Sequence, residues 1–342
     1  MKRHLNTLFV TTDGTFVGKD GEALVVKPPQ DGERVRVPIH MLHAVVCLAR
    51  VTVSPPAMAL CVESGVSISH HRSTGKLLAR VVGFTPGNVL LRREQFRSSE
   101  DPEVARRYSI SFIQGKLHNT RVLVRRAVRD HGDEDGKLGA VGEALARALR
   151  KVEFATTLDQ ARGIEGDAAK AYWNGFDGLL HPSDDRLRMN GRSRRPPRDP
   201  VNAMLSFSYA MLASDARSAA ESVGLDSQVG FLHTLRAGRP ALALDLMEEL
   251  RPVLADRVVL SVLNRGQLTG SDFLYEPGGA VQMKDGARKT FLKEYQRRKE
   301  EELKHPYLGE RVTLGMVPFV QARLLGKALR GEIDSYPPFL WR

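Results

Sequence analysis

The sequence is poor in cysteine and has no long apolar runs, and these two absences exclude several classes of protein. Cys47 and Cys61 are the only cysteines among its 342 residues, so neither a disulfide framework nor a zinc cluster built on cysteine is available. No uninterrupted apolar run reaches the roughly 18 residues that a membrane-spanning helix needs. The chain reaches Asp13 before the apolar core of a signal peptide could be completed. We therefore expect a protein of the reducing cytoplasm with no membrane partner.

Common catalytic motifs are also absent, and acidic residues are in the minority. The sequence contains no GxxxxGK[ST] phosphate loop, no HExxH zinc helix and no GxSxG nucleophile elbow. Lys and Arg number 51 against 40 Asp and Glu, which gives a net charge of +11. A basic balance of this size favours a polyanionic partner such as nucleic acid.

The strongest local excess of positive charge is RLRMNGRSRRPPR, residues 186–198. This stretch has six arginines in thirteen residues and no acid. Its glycine and two prolines predict a loop, or a segment that becomes ordered on binding. Because arginine can pair with phosphate through two hydrogen bonds, we call this stretch the Arg loop and regard it as a candidate for phosphate contacts. A solvated, solubilising loop is the alternative interpretation.

Strand signals dominate the first 90 residues. Short apolar runs alternate around two Asp-Gly pairs, Asp13-Gly14 and Asp20-Gly21, which is typical of consecutive hairpins. Several further strand-like runs follow, and only PPAMALCVESG has a helical pattern among them. Since single cores seldom grow beyond about 250 residues, a chain of this length has room for two domains. We predict an α+β protein in which a sandwich-like, β-rich domain of residues 1–90 precedes a larger, mainly α-helical catalytic domain of residues 91–342.

Helical signals fill the second part of the chain. The segment that begins DPEVARRY opens with Asp-Pro, a good helix start, and places Val104, Tyr108 and Phe112 at a spacing of four. Other predicted helices follow, with one small hairpin, SDFLYEPGGAVQMKDG, among them. The predicted helical segments include LDQARGIEGDAAKAYW, VNAMLSFSYAMLASDARSAAES, FLHTLRAGRPALALDLMEEL, PVLADRVVLSVLNRG and a basic stretch from about residue 285 to residue 304.

The segment FLHTLRAGRPALALDLMEEL, residues 231–250, holds a histidine and three acids. In one unbroken helix, His233 and Glu248 would lie roughly 22 Å apart at 1.5 Å per residue and could not share a ligand. Gly238-Arg239-Pro240 indicates a break followed by a new helix start, so His233 can turn back towards the second helix.

The acids of that second helix are Asp245, Glu248 and Glu249, which lie three or four positions apart on one narrow stripe. If the stripe faces solvent, the helix is an ordinary amphipathic one. If it faces another element, the carboxylates must be paired or bound to metal, since a buried charge costs several kcal/mol. The helical wheel does not choose between Glu248 and Glu249 as a ligand.

Glu165 is a third element of this possible site. It lies between Gly163 and Gly166, near the expected start of a helix with alanines that permit close packing. A helix-terminal charge is the simpler interpretation. However, Mg²⁺ takes carboxylate oxygens, and Mn²⁺ also accepts imidazole, so a glutamate, a histidine and a second acid would make a reasonable set of three ligands.

These motifs together resemble the CRISPR adaptation integrase family, CRISPR-associated protein one, of the subtype I-C branch. The resemblance covers essentially the whole chain and is most specific in RGIEGDAAKAYW, PPRDPVNAMLSFSYAML and FLHTLRAGRPALALDLMEELRP. By motif position it implies that Glu165, His233 and Glu248 are the metal ligands. It also implies that Asp245 supports the catalytic site or the DNA, and it leaves Glu249 to face solvent.

The resemblance further implies an enzyme and its partners. A DNA 3′-hydroxyl would attack a phosphodiester at the CRISPR array with the help of Mg²⁺ or Mn²⁺, and water in its place would give endonuclease activity. The implied partners are double-stranded and branched DNA, a second copy of the chain in a homodimer, and CRISPR-associated protein two in a heterohexamer. A basic, non-catalytic nucleic-acid-binding scaffold and a metal-dependent nuclease without integration are the alternatives.

Overall fold

A computed structural model of the chain describes residues 6–29, 32–83 and 88–342. Short strands occupy the first part of the chain and helices most of the rest, so the predicted α+β class is confirmed. The strands of the first part are β1 (Asn6–Val10), β2 (Phe16–Asp20), β3 (Ala23–Lys27), β4 (Val35–Pro38), β5 (Leu42–Cys47), β6 (Thr52–Val53), β7 (Ser67–His71) and β8 (Leu77–Val81), with helix α1 (Pro55–Glu63) between β6 and β7.

Two four-stranded sheets share one apolar core in this region. The strand order is β1-β5-β7-β8 in one sheet and β4-β3-β2-β6 in the other. Inward-facing residues from both sheets, such as Val45 of β5 and Leu24 of β3, are fully buried and join Leu60 of α1 in a single cluster. The arrangement is sandwich-like because each sheet has one apolar face that it must cover.

One of the two predicted hairpins is present and the other is wrong. Strands β2 and β3 form the hairpin predicted at Asp20-Gly21, with Asp20 opposite Ala23. At Asp13 the chain instead crosses between the sheets, because β1 pairs in parallel with β5 and not with β2. The Asp13 carboxylate accepts hydrogen bonds from the backbone N–H of Arg50 at 2.9 Å and from its guanidinium at 2.9 Å. These bonds fasten the turn to the segment that follows β5.

The remainder of the chain is mainly helical. Its helices are α2 (Val89–Glu100), α3 (Pro102–His131), α4 (Lys137–Glu153), α5 (Leu158–Gly175), α6 (Pro200–Ser222), α7 (Ala241–Glu248), α8 (Arg257–Asn264), α9 (Asp285–Glu300) and α10 (Val317–Leu329). A predicted hairpin pairs β9 (Phe273–Tyr275) with β10 (Val281–Met283), and a second, unpredicted one pairs β11 (Glu302–Lys304) with β12 (Arg311–Thr313). Among the described residues, no helix has both the length and the apolar character needed to cross a membrane.

Helix α3 is the central support of this region. The Asp101 side chain accepts hydrogen bonds from the N–H groups of Glu103 and Val104, so the predicted Asp-Pro start is confirmed. The helix is 30 residues long and packs against α4, α5 and α7. Phe112 and Leu117 of α3 are buried in the large apolar core that these helices share. This packing brings the middle of α3 next to both α5 and α7.

Lys299 of α9 connects the first strand to the helices. Its ammonium lies 3.0 Å and 3.1 Å from the two carboxylate oxygens of Asp215 on α6, and 3.4 Å from the hydroxyl of Thr7 on β1. Tyr295 donates a further hydrogen bond of 3.0 Å to Asp215. The Lys299 side chain is almost completely buried. Removal of one partner of such a buried pair leaves the other charge uncompensated.

We predict that Lys299→Ala lowers the free energy of unfolding by about 3 kcal/mol, because it leaves the Asp215 carboxylate without its cation. Unfolding in urea, followed by circular dichroism, measures this change. Lys293→Ala on the exposed side of the same helix is the matched control and should change the free energy by less than about 0.5 kcal/mol. Equal effects of the two substitutions would contradict the role given to Lys299.

Candidate active site

A cavity of about 1050 Å³ opens between α3, α5, α7 and the Arg loop. Its lining includes Glu165, His233 and Glu248, which come from three separate parts of the chain. Lys116 from the middle of α3 lines the same cavity. The three side chains that the sequence indicated as ligands therefore face one space.

Glu165 is positioned by α5, although not at its start as the sequence suggested. The helix begins at Leu158, where the Thr157 side chain accepts a hydrogen bond from the backbone N–H of Gln160, so Glu165 lies two turns inside. Nothing lies within 4 Å of the place where a side chain would begin at Gly163 or Gly166. Both glycines therefore face open space, and no other segment among the described residues packs against them.

The segment 231–250 has the predicted break but only one of its two expected helical parts. Helix α7 begins directly after Pro240, which confirms the new start, whereas residues 231–233 are not helical. The reason is that their backbone N–H groups donate hydrogen bonds to Asp245 instead of to helical carbonyl groups. Its carboxylate accepts hydrogen bonds from the N–H groups of Phe231 at 2.6 Å, Leu232 at 3.1 Å and His233 at 3.0 Å. A chain that turns around one carboxylate in this way cannot also make helical hydrogen bonds through the same N–H groups.

Asp245 also fixes the imidazole of His233. Nδ1 of His233 lies 2.7 Å from Oδ1 of Asp245, whose side chain is fully buried. Since a carboxylate accepts the hydrogen bond, Nδ1 carries the proton in the neutral ring and Nε2 keeps a free lone pair. Nε2 is the nitrogen on the side of Glu248, 3.7 Å from its Oε1. Carboxylates in this outer position commonly set the orientation of a metal-binding histidine.

Arg162 holds the same segment from the opposite side. It lies on α5, three residues before Glu165, and its guanidinium donates two hydrogen bonds, of 3.0 Å and 2.5 Å, to the carbonyl oxygen of Leu232. The carbonyl and the N–H of Leu232 are thus bound by α5 and by Asp245 of α7, respectively. This arrangement fixes the position of the His233 backbone relative to both acidic helices.

Glu165 and Glu248 share one cation. The ammonium of Lys116 forms a very short ion pair with Glu165, and it lies 2.7 Å from Oε2 of Glu248. Arg251, three residues after Glu248, lies 3.0 Å from its Oε1. Burial by itself would raise the pKa of Glu248, but Arg251, Lys116 and His233 outweigh it and lower this pKa to about 2. The carboxylate is therefore charged at neutral pH.

The three predicted ligands are close but do not form a ready-made metal site. Across residues 6–29, 32–83 and 88–342, no three His, Cys, Asp or Glu side chains converge as they would around an ion. Lys116 instead places its positive charge between the carboxylates of Glu165 and Glu248. The Oε2 atom of Glu248 is buried and makes no well-directed hydrogen bond, although the ammonium is near. The two carboxylates thus already hold a cationic group, and one oxygen of Glu248 is left poorly satisfied.

The expectation that Glu249 faces solvent is wrong. Its side chain is fully buried, and it accepts hydrogen bonds from the Tyr336 hydroxyl, the Phe339 backbone N–H and, at 3.1 Å, the amide of Gln321. Burial raises the pKa of Glu249 to about 8, even though these donors act in the other direction. Asp245 and Glu248 are buried too, so the acids do not form a solvated stripe. Each of the three instead meets a different segment of the chain.

The far wall of the cavity contains a buried carboxylate between two tyrosines. Residues Arg251–Asp256 form a π-helical segment, a form that is often found at functional sites. Asp256 at its end accepts hydrogen bonds of 2.8 Å from Tyr172 and 2.6 Å from Tyr209. Burial raises the pKa of Asp256 to about 6, against the effect of the two tyrosines and of neighbouring arginines.

The Arg loop has a fixed part and an exposed part. It is a loop, as predicted, and Arg192 anchors it by a hydrogen bond of 2.6 Å to Asn202 and by stacking 5.3 Å from the Trp173 ring centroid. Arg194 and Arg195 are exposed and line the cavity. The loop is therefore ordered by contacts within the chain, and these two guanidinium groups lie at the entrance to the site.

Sequence reasoning missed Lys116 and Arg251, although signals for both were present. The apolar series Val104, Tyr108, Phe112 continues at the same spacing to Lys116, so a lysine occupies the buried side of α3. Arg251 follows Glu248 by three residues, a spacing that brings the two side chains together. A cation on a buried helical face is a strong indication that an acid must lie opposite.

Comparison with known proteins places the chain among a well-defined set of relatives. The sequence matches the family model described as CRISPR associated protein Cas1 over residues 8–297. It is 46% identical over 344 residues to the CRISPR-associated endonuclease Cas1 1 of Chlorobaculum tepidum, with all of both chains covered. It is 49% identical over 349 residues to the CRISPR-associated endonuclease Cas1 2 of Rhodospirillum rubrum, again with all of both chains covered.

Solved structures share the fold at lower identity. A casposase bound to integration product is 21% identical, has a TM-score of 0.85 and is matched over 99% of this chain and 95% of its own. A Cas1 protein from Thermotoga maritima is 19% identical with a TM-score of 0.80, and 98% of this chain and 100% of that chain are covered. A chain of a Cas6-RT-Cas1–Cas2 complex is 25% identical with a TM-score of 0.79, and this chain covers 36% of it.

We predict that Asp245→Asn speeds hydrogen exchange at the amides of residues 231–233 by at least tenfold. The substitution replaces a carboxylate oxygen by an N–H donor, and each lost hydrogen bond to a charged group is worth about 1.5 kcal/mol or more. Exchange followed by mass spectrometry on peptides that cover residues 228–240 measures the change. Asp167→Asn, at an exposed position of α5, is the control and should leave these amides unchanged. Unaltered exchange in Asp245→Asn would refute the role of Asp245 in holding this segment.

Proposed function

This chain belongs to the Cas1 family of CRISPR-associated proteins, and we propose that it is a metal-dependent DNA endonuclease and integrase that joins foreign DNA fragments to the CRISPR array. The proposed reaction is an exchange of phosphodiesters. A DNA 3′-hydroxyl attacks a phosphodiester of the array, the new P–O bond forms, and the 3′-oxygen of the array strand leaves with a proton. Water as the attacking group gives hydrolysis instead, which agrees with the name endonuclease given to the relatives.

The observation that carries this proposal is the meeting of Glu165, Glu248 and His233 at one cavity wall. Two carboxylates from different helices bind a single cationic group, and an imidazole with a free lone pair on Nε2 lies 3.7 Å from one of them. A scaffold that only binds DNA gains nothing from buried acids, since burial of a charge costs several kcal/mol. This cost favours the catalytic proposal over the scaffold.

The donor set fits a divalent ion such as Mg²⁺ or Mn²⁺. We propose that Glu165, His233 and Glu248 hold the ion, whose chemistry is to polarise the phosphoryl group and to stabilise negative charge on its oxygens. The two carboxylates already bind a cation, the Lys116 ammonium, and Oε2 of Glu248 is only partly satisfied. The ion would therefore compete with Lys116 for the same oxygens.

The other residues of the site act through these ligands or on the DNA. Asp245 keeps the proton of His233 on Nδ1, so that the lone pair of Nε2 remains available to bind the ion. Arg162 holds the backbone of the same segment through Leu232. Arg251 compensates the charge of Glu248 and stacks 5.0 Å from the Tyr209 ring centroid. Together these contacts hold the three proposed ligands in place before DNA arrives, which lowers the cost of organising the site during the reaction.

We also propose DNA and protein partners. The net charge of +11 and the exposed arginines of the Arg loop favour binding of double-stranded or branched DNA through phosphates, with little sequence readout. A relative of 25% identity is part of a Cas6-RT-Cas1–Cas2 complex, which supports Cas2 as a protein partner. By family resemblance, the chain would form a homodimer, and two such dimers would join Cas2 in a heterohexamer.

We predict that Glu165→Gln, His233→Ala and Glu248→Gln each reduce strand transfer into supercoiled plasmid by about 100-fold or more, with Mn²⁺ and Cas2 supplied. Each substitution removes one proposed ligand. Calorimetric titration with Mn²⁺ should also detect weaker binding in each variant. Glu143→Gln, on the exposed side of α4, is the matched control and should behave as wild type.

The outcomes separate the alternatives. Variants that join DNA as well as wild type would contradict the catalytic assignment and favour the scaffold. Nicking without joined products in the wild type, with Cas2 present, would favour a nuclease without integration.

For the Arg loop, we predict that the double substitution Arg194→Gln/Arg195→Gln weakens duplex DNA binding and reduces its salt dependence. Each lost phosphate contact lowers the slope of log K against log salt by roughly 0.9, so two contacts lower it by about 1.8. Fluorescence anisotropy between 50 and 200 mM salt, roughly the range in which such contacts lose affinity, measures the slope. Arg311→Gln/Arg323→Gln, two exposed positions outside the cavity, is the control. An unchanged slope in the Arg loop variant would rule out these phosphate contacts.

A further inference from the structure

The last residues of the chain have no helix or strand, yet their aromatic side chains are buried. The segment 334–342, which we call the C-terminal segment, has the sequence DSYPPFLWR. Tyr336 and Phe339 are almost completely buried, and Trp341 retains only 8% of its exposure. A segment without helix or strand that packs this closely against the helical core must be held by specific partners.

The first partner is Glu249, the residue next to the proposed ligand Glu248. Two of the three hydrogen bonds to its carboxylate come from the C-terminal segment, one from the Tyr336 hydroxyl and one from the Phe339 N–H. Gln321 supplies the third bond, of 3.1 Å, and also donates to the Tyr336 hydroxyl at 2.7 Å. All three donors are neutral groups, and they come from outside α7.

The second partner is Asn119 on α3, one helical turn after Lys116. Its side-chain amide donates hydrogen bonds to the carbonyl oxygens of Glu249 at 2.7 Å and Phe339 at 2.8 Å. Its side-chain oxygen accepts the N–H of Trp341 at 2.7 Å. One buried asparagine therefore joins α3, the end of α7 and the C-terminal segment.

Two arginines complete the attachment. Arg126 of α3 and Arg298 of α9 lie over the Trp341 ring, 3.9 Å and 5.5 Å from its centroid. Arg298 also donates hydrogen bonds of 3.0 Å and 3.2 Å to the carbonyl oxygen of Val253, inside the π-helical segment that begins at Arg251. The C-terminal segment thus contacts α3 directly and is linked to the π-helical segment through Arg298.

We propose that the C-terminal segment is a positioning element for the active site, and that it sets the places of Glu248 and Lys116 through Glu249 and Asn119. This inference rests on the proposed function, because it concerns the geometry of the same ligands. The segment contacts neither the cavity nor the reacting groups in its own right, so its effect is transmitted through residues adjacent to the ligands in the chain.

The physical reason lies in the surroundings of Glu249. Without the C-terminal segment the carboxyl group of Glu249 loses two of its three hydrogen-bond donors while it remains buried, and a buried polar group without partners destabilises the folded arrangement around it. It cannot relax towards α3, because a side chain at Gly115 would begin only 2.9 Å from Cγ of Glu249, so that side is already filled. The carboxylate must turn towards water instead, and this movement displaces the backbone that also carries Glu248.

The test uses a chain that ends at Ile333 together with a synthetic peptide of residues 334–342. We expect the shortened chain to remain folded, to bind Mn²⁺ at least tenfold more weakly by calorimetry, and to lose at least tenfold in the turnover of strand transfer. Addition of the peptide should restore both quantities in a saturable manner. A peptide with phenylalanine in place of Tyr336 should restore them less well.

A single substitution in the complete chain covers the case in which the shortened chain fails to fold. Tyr336→Phe removes one donor to Glu249 and should weaken Mn²⁺ binding severalfold without loss of the folded state, as checked by thermal unfolding. Tyr307→Phe, an exposed tyrosine, is its matched control. Normal Mn²⁺ affinity and turnover in Tyr336→Phe, or in a folded shortened chain, would overturn the inference. Absence of strand transfer in the complete wild-type chain with Cas2 would instead count against the proposed function, while Mn²⁺ affinity would still report on the segment.

Discussion

Three acidic side chains are buried close together at the end of α7, and each must be satisfied by a partner. Asp245, Glu248 and Glu249 are almost inaccessible to water, and an acidic group buried without hydrogen bonds or an opposite charge costs free energy. Each therefore requires partners from another part of the chain. Asp245 accepts hydrogen bonds from the backbone N–H groups of the His233 segment, and Glu248 forms an ion pair with Lys116 of α3. Glu249 accepts hydrogen bonds from the C-terminal segment. The convergence of distant segments at the cavity is the structural result of these three requirements.

The sequence predicts the broad architecture well because local patterns decide it. Three correct predictions depend only on near neighbours in the chain. They are the strands of the first part, the helices of the second part and the Gly-Arg-Pro break before α7. The predictions that failed depended on distant partners. The Asp13 turn binds Arg50 and so joins two sheets, and Glu249 is buried by residues about ninety positions further on. A helical wheel describes which residues of one helix are adjacent, but it contains no information about what packs against them.

The proposed ligands were predicted from motif resemblance, whereas the contacts that surround them are visible only in the structure. Glu165, His233 and Glu248 do face one cavity. The groups that hold them there, above all Lys116 and Arg162, follow from contacts between helices and could at most be suspected from a cation on a buried helical face. Acids and histidines are recognisable by residue type, while the cations and backbone carbonyls that orient them are not distinctive in a sequence with 51 basic residues.

The exposed loop between His233 and α7 contributes little to holding His233 in place. His233 is fixed by Asp245 and, through Leu232, by Arg162, and not by the residues that follow it. Residues 234–238 are exposed, and Gly238 has nothing within 4 Å of the place where a side chain would begin. Changes of sequence in this loop are therefore not expected to move His233 or Glu248. The loop borders the cavity, so its exposed side chains can change what the cavity entrance presents while the groups that hold His233 stay in place.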